Sequence, residues 1–162
     1  MTWLHTIRNA EPHEAAEISA LAMRSKSYWG YSKEFMEACR AELTVSPEDM
    51  GSDDFRYVVA DYELKLLGYY ALEKCSEQEY ELEALFVEPS YIGTGIGKSL
   101  IAHAKTMVMA LGGKTLTIQG DPNAEGFYRA VGGRKVGMRE SASIPGRNLP
   151  LFVIELENEN VA

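Results

Sequence analysis

Apolar residues recur along this chain in two periods, one helical and one alternating, and the switches between them mark the elements. Residues 3–8, beginning at Trp3, read as a short first strand. From about Pro12, the residues Ala15, Ile18, Leu21 and Ala22 make an apolar stripe on a helix that reaches about Lys26, with Asn9, Glu11 and Pro12 at its start. Gly30 interrupts it. Ser32 then suits the cap of a second helix that carries Phe35, Met36, Cys39 and Leu43 on one side and closes before Pro47. Residues 47–54 read as a polar, acidic loop, and residues 55–60 and 65–75 as strands joined by a turn at 61–63.

The next stretch, residues 80–105, organises the chain. Residues 80–87 are rich in strand formers, and Pro89 stops their continuation as a central strand. Gly93, Gly95 and Gly97 follow in a short turn. From Lys98, the residues Leu100, Ile101, Ala104, Val108 and Leu111 return at helical spacing, and Gly112-Gly113 ends that helix. Residues 114–119 read as a strand, and Asp121-Pro122 opens a short helix through Val131, stopped by Gly132-Gly133. Residues 136–141 and 149–156 read as strands joined around Ile144-Pro145-Gly146, where Pro-Gly fits the central positions of a type II turn. The order β-α-α-β-β-β-α-β-α-β-β predicts a mixed α/β (α+β) domain, read as one unit over residues 1–162.

Composition narrows the function classes. The 162 residues carry a net charge of −8, which disfavours a nucleic-acid partner and is compatible with a cationic one. No apolar run approaches the roughly 18 residues of a membrane span, and the first residues lack the basic and apolar blocks of a signal peptide, so a cytoplasmic protein without membrane attachment is expected. Cys39 and Cys75 have no metal spacing, and His5, His13 and His103 are scattered, so no metal site is expected. The sequence leaves the oligomeric state open, a homodimer included.

A helix that opens on bare glycine backbone offers unpaired N–H groups and a positive dipole end, which suits a phosphate-bearing ligand. A P-loop needs four residues between its first glycine and Gly-Lys-Ser, whereas three separate Gly93 from Gly97. A dinucleotide turn needs a third glycine where Ser99 or Leu100 stands. The stretch Ile92-Gly93-Thr94-Gly95-Ile96-Gly97 instead resembles the Gln/Arg-x-x-Gly-x-Gly/Ala signature of the GNAT superfamily, the acetyl-CoA-dependent N-acetyltransferases, with Ile92 in place of the usual Gln or Arg. A second stretch, Asn123, Ala124, Phe127, Tyr128 and Gly132, resembles that family's second signature.

The resemblance implies a mostly antiparallel sheet flanked by helices, splayed between residues 82–87 and 115–119 to admit acetyl-CoA. It implies that the backbone of Leu85, Phe86 and Val87 holds the pantetheine arm. Gly93, Thr94, Gly95, Ile96, Gly97, Lys98 and Ser99 would hold the pyrophosphate. Asn123 would face the arm, and the Tyr128 hydroxyl the thioester sulfur. A phenol of pKa about 10 suits protonation of a thiolate of pKa about 8.5. For a base, Glu81 and Glu83 stand two apart on one strand face; the resemblance favours Glu81, and Glu83 is nearer the presumed thioester. Near the acceptor, Tyr28, Trp29 and Tyr31 with Arg147 suit a small zwitterionic amine; the alternative is that the aromatics only pin the helices. The expected activity is direct transfer of an acetyl group to a primary amine on a small molecule or peptide. The alternative is a non-catalytic acyl-CoA-binding sensor or interaction domain of the same fold.

Overall fold

The computed structural model describes residues 5–156; Trp3 and Leu4, which the sequence places in the first strand, lie outside them. The strands are β1 (Thr6–Asn9), β2 (Phe55–Tyr62), β3 (Lys65–Lys74), β4 (Glu79–Val87), β5 (Thr115–Gln119), β6 (Arg134–Glu140) and β7 (Asn148–Glu155). The helices are α1 (Ala15–Ser27), α2 (Lys33–Leu43), α3 (Pro47–Met50), α4 (Ile96–Ala110) and α5 (Glu125–Ala130). A single-turn 3-10 segment precedes α1, and others precede the glycine turn and α5.

The seven strands form one sheet in the order β1-β2-β3-β4-β5-β7-β6. Every neighbouring pair is antiparallel except β4 with β5. Alternation sends successive side chains to opposite faces. Tyr70, Leu72, Tyr80 and Leu82 meet Leu100, Ile101, Ala104 and Val108 of α4 on one face. Val59, Tyr69 and Ala71 meet Ile18, Leu21 and Ala22 of α1 on the other, with Ala84 and Phe86 against them. His103 of α4 is tied to this frame by the Tyr70 hydroxyl, 2.7 Å from its Nδ1. No helix among the described residues is long and apolar enough to cross a membrane.

Three local features depart from the sequence reading. The acidic loop at 47–54 contains a helical turn, α3, because Ser46 and Asp49 cap it reciprocally at 3.1 and 3.4 Å and Pro47 suits its first position. The hairpin between β2 and β3 turns at Glu63 and Leu64, not at 61–63; both take positive φ (48° and 67°). That left-handed pair matches strand twist but normally selects glycine or asparagine, so nothing in Glu-Leu announces it. The first cap is Glu11, not Asn9, and forms a reciprocal pair with Glu14. The Pro145-Gly146 turn has the expected form, with Gly146 at φ 81° and Arg147 N–H bonded to the Ile144 carbonyl.

Candidate active site

Strands β4 and β5 pair only from Glu79↔Thr115 to Leu82↔Ile118. Beyond that point β4 runs on to Val87, while β5 follows β7 to Gln119↔Leu151 and turns away at Gly120. One edge of β4 is thereby left without a ladder partner over the Leu85–Val87 stretch, as the splay requires. On this stretch Val87 N–H donates to Ser25 Oγ of α1 at 3.3 Å.

The gap opens into a cavity of about 840 Å³ that runs from the glycine turn, past Leu85, Phe86, Asn123 and Tyr128, to a chamber beneath α2 and α3. At the glycine end, Gly93 and Gly95 hold φ of 86° and 95°, values that side-chain-bearing residues rarely adopt. Gly95 is the N-cap of α4 and no side chain caps that helix, leaving its first N–H groups and dipole end toward the cavity mouth. Ile92, Thr94 and Lys98 line this end as well. Gly97 has a second reason: a Cβ there would come 3.3 Å from the Phe127 ring, so it is a packing position between α4 and α5. The side chain of Ile96 is 1% exposed and belongs to the core. The amide of Ser99 is already committed to the Gly95 carbonyl, and Ser99 does not line the cavity.

At the middle, Tyr128 is held by the Phe127 and Phe152 rings, at centroid distances of 5.2 and 5.7 Å, and backed by Gly120, where a Cβ would meet its ring at 3.0 Å. It is both core and cavity wall. Burial, with help from the nearby Asp121 charge, pushes its phenol above the ordinary tyrosine range, so it stays protonated. Its hydroxyl has no hydrogen-bond partner among the described residues.

Opposite, β4 carries a bulge. Ala71 pairs with Ala84 and Leu72 with Leu82, so Glu83 is an extra residue with no partner on β3. Glu81 and Glu83 do share the cavity face, but their environments differ. Glu81 accepts from Arg139 Nη1 of β6 at 2.9 Å. Glu83 lines the cavity, and burial by the wall around it, with the carboxylates of Glu73 and Glu81 beside it, pushes its pKa up to about 8. Glu73 stands opposite Glu81 in the β3–β4 ladder, a neighbour that the sequence shows only once the register is known.

The aromatic and basic residues expected at the acceptor are otherwise disposed. Trp29 lines the cavity, whereas Tyr28, Tyr31 and Arg147 do not. Tyr31 donates to Asp121 at 2.8 Å, receives Arg147 Nη2 at 2.8 Å and the Asn123 side-chain amide at 3.1 Å, and stacks on Phe35 with ring centroids 4.2 Å apart. The Arg147 guanidinium lies over the Tyr31 and Phe35 rings. Burial works against the Asp121 carboxylate, but the Asn123 N–H, the Tyr31 hydroxyl and Lys26 more than offset it and hold its pKa below the usual range. A pair that the sequence suggests for holding a zwitterion is thus consumed in joining three loops. Asp121, the centre of this knot, was visible in the sequence only as a helix opener.

A splayed sheet with a helix start at one end of the gap and carboxylates at the other is the architecture of an acyl-group transferase. A model of the acetyltransferase (GNAT) domain matches residues 14–143, and the chain belongs to that family. The peptidyl-lysine N-acetyltransferase YjaB of Salmonella typhimurium is 29% identical over 147 residues, covering 90% of this chain and 94% of that protein. The fold is shared with the PaiA N-acetyltransferase of Thermoplasma acidophilum, solved with coenzyme A, at a TM-score of 0.77 and 20% identity over 96% of this chain and 99% of that one. It is shared too with an aminoglycoside 6'-N-acetyltransferase, also solved with coenzyme A, at a TM-score of 0.72 and 19% identity over 94% and 98% of the two chains.

Proposed function

We propose that this GNAT protein transfers an acetyl group from acetyl-CoA directly to a primary amine, with Glu83 as base and Tyr128 as acid. The observation that carries this reading is the pair of groups facing one gap: a carboxylate with a raised pKa on an unpaired bulge, and a protonated phenol without a partner. The name of the Salmonella relative supports a lysine-type amine. The residues present fit acetyl-CoA: positive-φ glycines, an uncapped helix start and an unpaired strand edge lie along one cavity.

Bound acetyl-CoA supplies an activated thioester. The N-terminus of α4, with Gly95 and Lys98, holds the pyrophosphate, and the free edge of β4 at Leu85 and Phe86 orients the arm. Glu83 takes a proton from the attacking amine as the carbon–nitrogen bond forms. Tyr128 gives its proton to the sulfur as the carbon–sulfur bond breaks, and solvent returns it. Cys39 is buried and Cys75 exposed, both free thiols raised above the ordinary range chiefly by burial, which is the wrong direction for a nucleophile. A reducing, cytoplasmic setting suits two unpaired thiols.

Two measurements test the reading. Thiol release from acetyl-CoA should require an added amine, and intact-protein mass spectrometry with acetyl-CoA alone should show no acetylated cysteine; a stoichiometric acetyl-cysteine overturns direct transfer. Gly95→Val forces a β-branched residue into φ 95°, a strain of about 1–3 kcal/mol placed at the helix start. Acetyl-CoA affinity should fall about tenfold or more while the domain stays folded. Unchanged affinity in titration calorimetry removes the phosphate role of this turn.

A further inference from the structure

Beyond Glu83 the cavity continues into a chamber whose wall carries Glu42 of α2 and Asp49 of α3. Phe55 and Tyr57 stack there with ring planes 20° apart, and both line the cavity. These carboxylates are not committed to cations: the Glu42 carboxylate receives the Ser143 hydroxyl, and Asp49 caps α3. A second observation is independent of charge. Tyr69 of β3 is 1% exposed, lines the same cavity, and its hydroxyl has no hydrogen-bond partner among the described residues. The side chain is buried but its hydroxyl is open to the cavity, a free donor and acceptor for a group that enters there. Arg147, which the sequence suggests for an acceptor carboxylate, lies outside the cavity and donates to Tyr31, and Arg139 is paired with Glu81.

We infer that the acceptor is a dication: an amine that carries a second positive charge beyond the reacting nitrogen. This rests on the acetyl-transfer reading above. The reacting amine stands between Glu83 and the Tyr69 hydroxyl. The second cation enters the chamber between Glu42 and Asp49, over the Phe55 and Tyr57 ring faces, where carboxylates and ring quadrupoles act together. An acceptor carboxylate in this chamber meets the like charges of Glu42 and Asp49, and Lys26, an ammonium that lines the same cavity, is paired with Asp121, which disfavours amino acids. A diamine presents this chemistry, and so does a lysine beside other basic residues in a peptide.

The test is kcat/KM with acetyl-CoA for acceptors of matched length. Putrescine should exceed butylamine by about tenfold or more, and γ-aminobutyrate should fall below both. A second arm compares short peptides with one central lysine flanked by arginine, glycine or glutamate. Preference for the dication in the amine arm alone identifies a small polyamine, and in the peptide arm alone a basic peptide; either supports the inference. Glu42→Gln and Asp49→Asn, which keep size and the capping acceptor, should narrow the dication preference. Equal use of mono- and dications, or a preference for γ-aminobutyrate, overturns this inference while leaving acetyl transfer intact. Absence of thiol release with every amine overturns both.

Discussion

Tyr128→Phe is expected to lower turnover by about 100-fold or more while acetyl-CoA binding survives. The substitution removes one oxygen and keeps the ring between Phe127, Phe152 and Gly120, so the packing that holds α5 to the sheet is unchanged. What is lost is the hydroxyl proposed as the proton donor, which burial keeps protonated and which no other side chain among the described residues engages. Single-turnover measurement of thiol release, with chemistry rate-limiting, reads the effect directly. A loss of less than about threefold assigns Tyr128 to the core alone.

Glu83→Gln is expected to lower kcat/KM by a similar order and to change its pH profile. A base must be deprotonated, so with Glu83 near 8 the wild-type profile carries a rising limb near 8 in addition to the limb of the amine itself. The variant loses that limb and keeps only the one that belongs to the amine itself, near 10. Stability moves in the opposite sense. A carboxyl whose pKa is raised in the folded state binds more protons folded than unfolded between its unfolded value near 4.3 and about 8, so its contribution weakens as pH rises through that window. The Gln variant escapes this weakening, and its melting temperature should gain on the wild type from pH about 5 to 8, then stay ahead by a constant margin. Glu81→Gln, in contrast, breaks the contact with Arg139 and keeps the Glu83 limb but moves it to lower pH, because the Glu81 carboxylate is one of the charges that raise Glu83. A limb that survives in the Glu83 variant and vanishes in the Glu81 variant reverses the assignment.

Much of the architecture was legible in the sequence because the signals were local. Helix stripes, proline and glycine stops and the Pro145-Gly146 turn depend on residues a few positions apart. The glycine turn was legible for the same reason, although the spacing did not distinguish Gly95, which needs its conformation, from Gly97, which needs room for Phe127. What the sequence concealed depends on register and on distant loops. Glu73 enters the site through a ladder partner, Arg139 from across two intervening strands, and Tyr31 with Arg147 is diverted by Asp121. The Glu63-Leu64 hairpin turn hides because its residues contradict its backbone.

The bulge in β4 has an arithmetical consequence. Glu83 is one residue too many for the ladder, and because it is there Leu82 and Leu85 face the same core while Ala84 and Phe86 face the other. Strike it out and the remaining residues, Leu82, Ala84, Leu85 and Phe86, fall into plain alternation with every core side chain on its present side. The carboxylate proposed as the base is therefore carried by an extra residue of the ladder rather than by one of its paired positions. Deleting Glu83 alone should therefore leave the shape of the sheet in place and remove the proposed base.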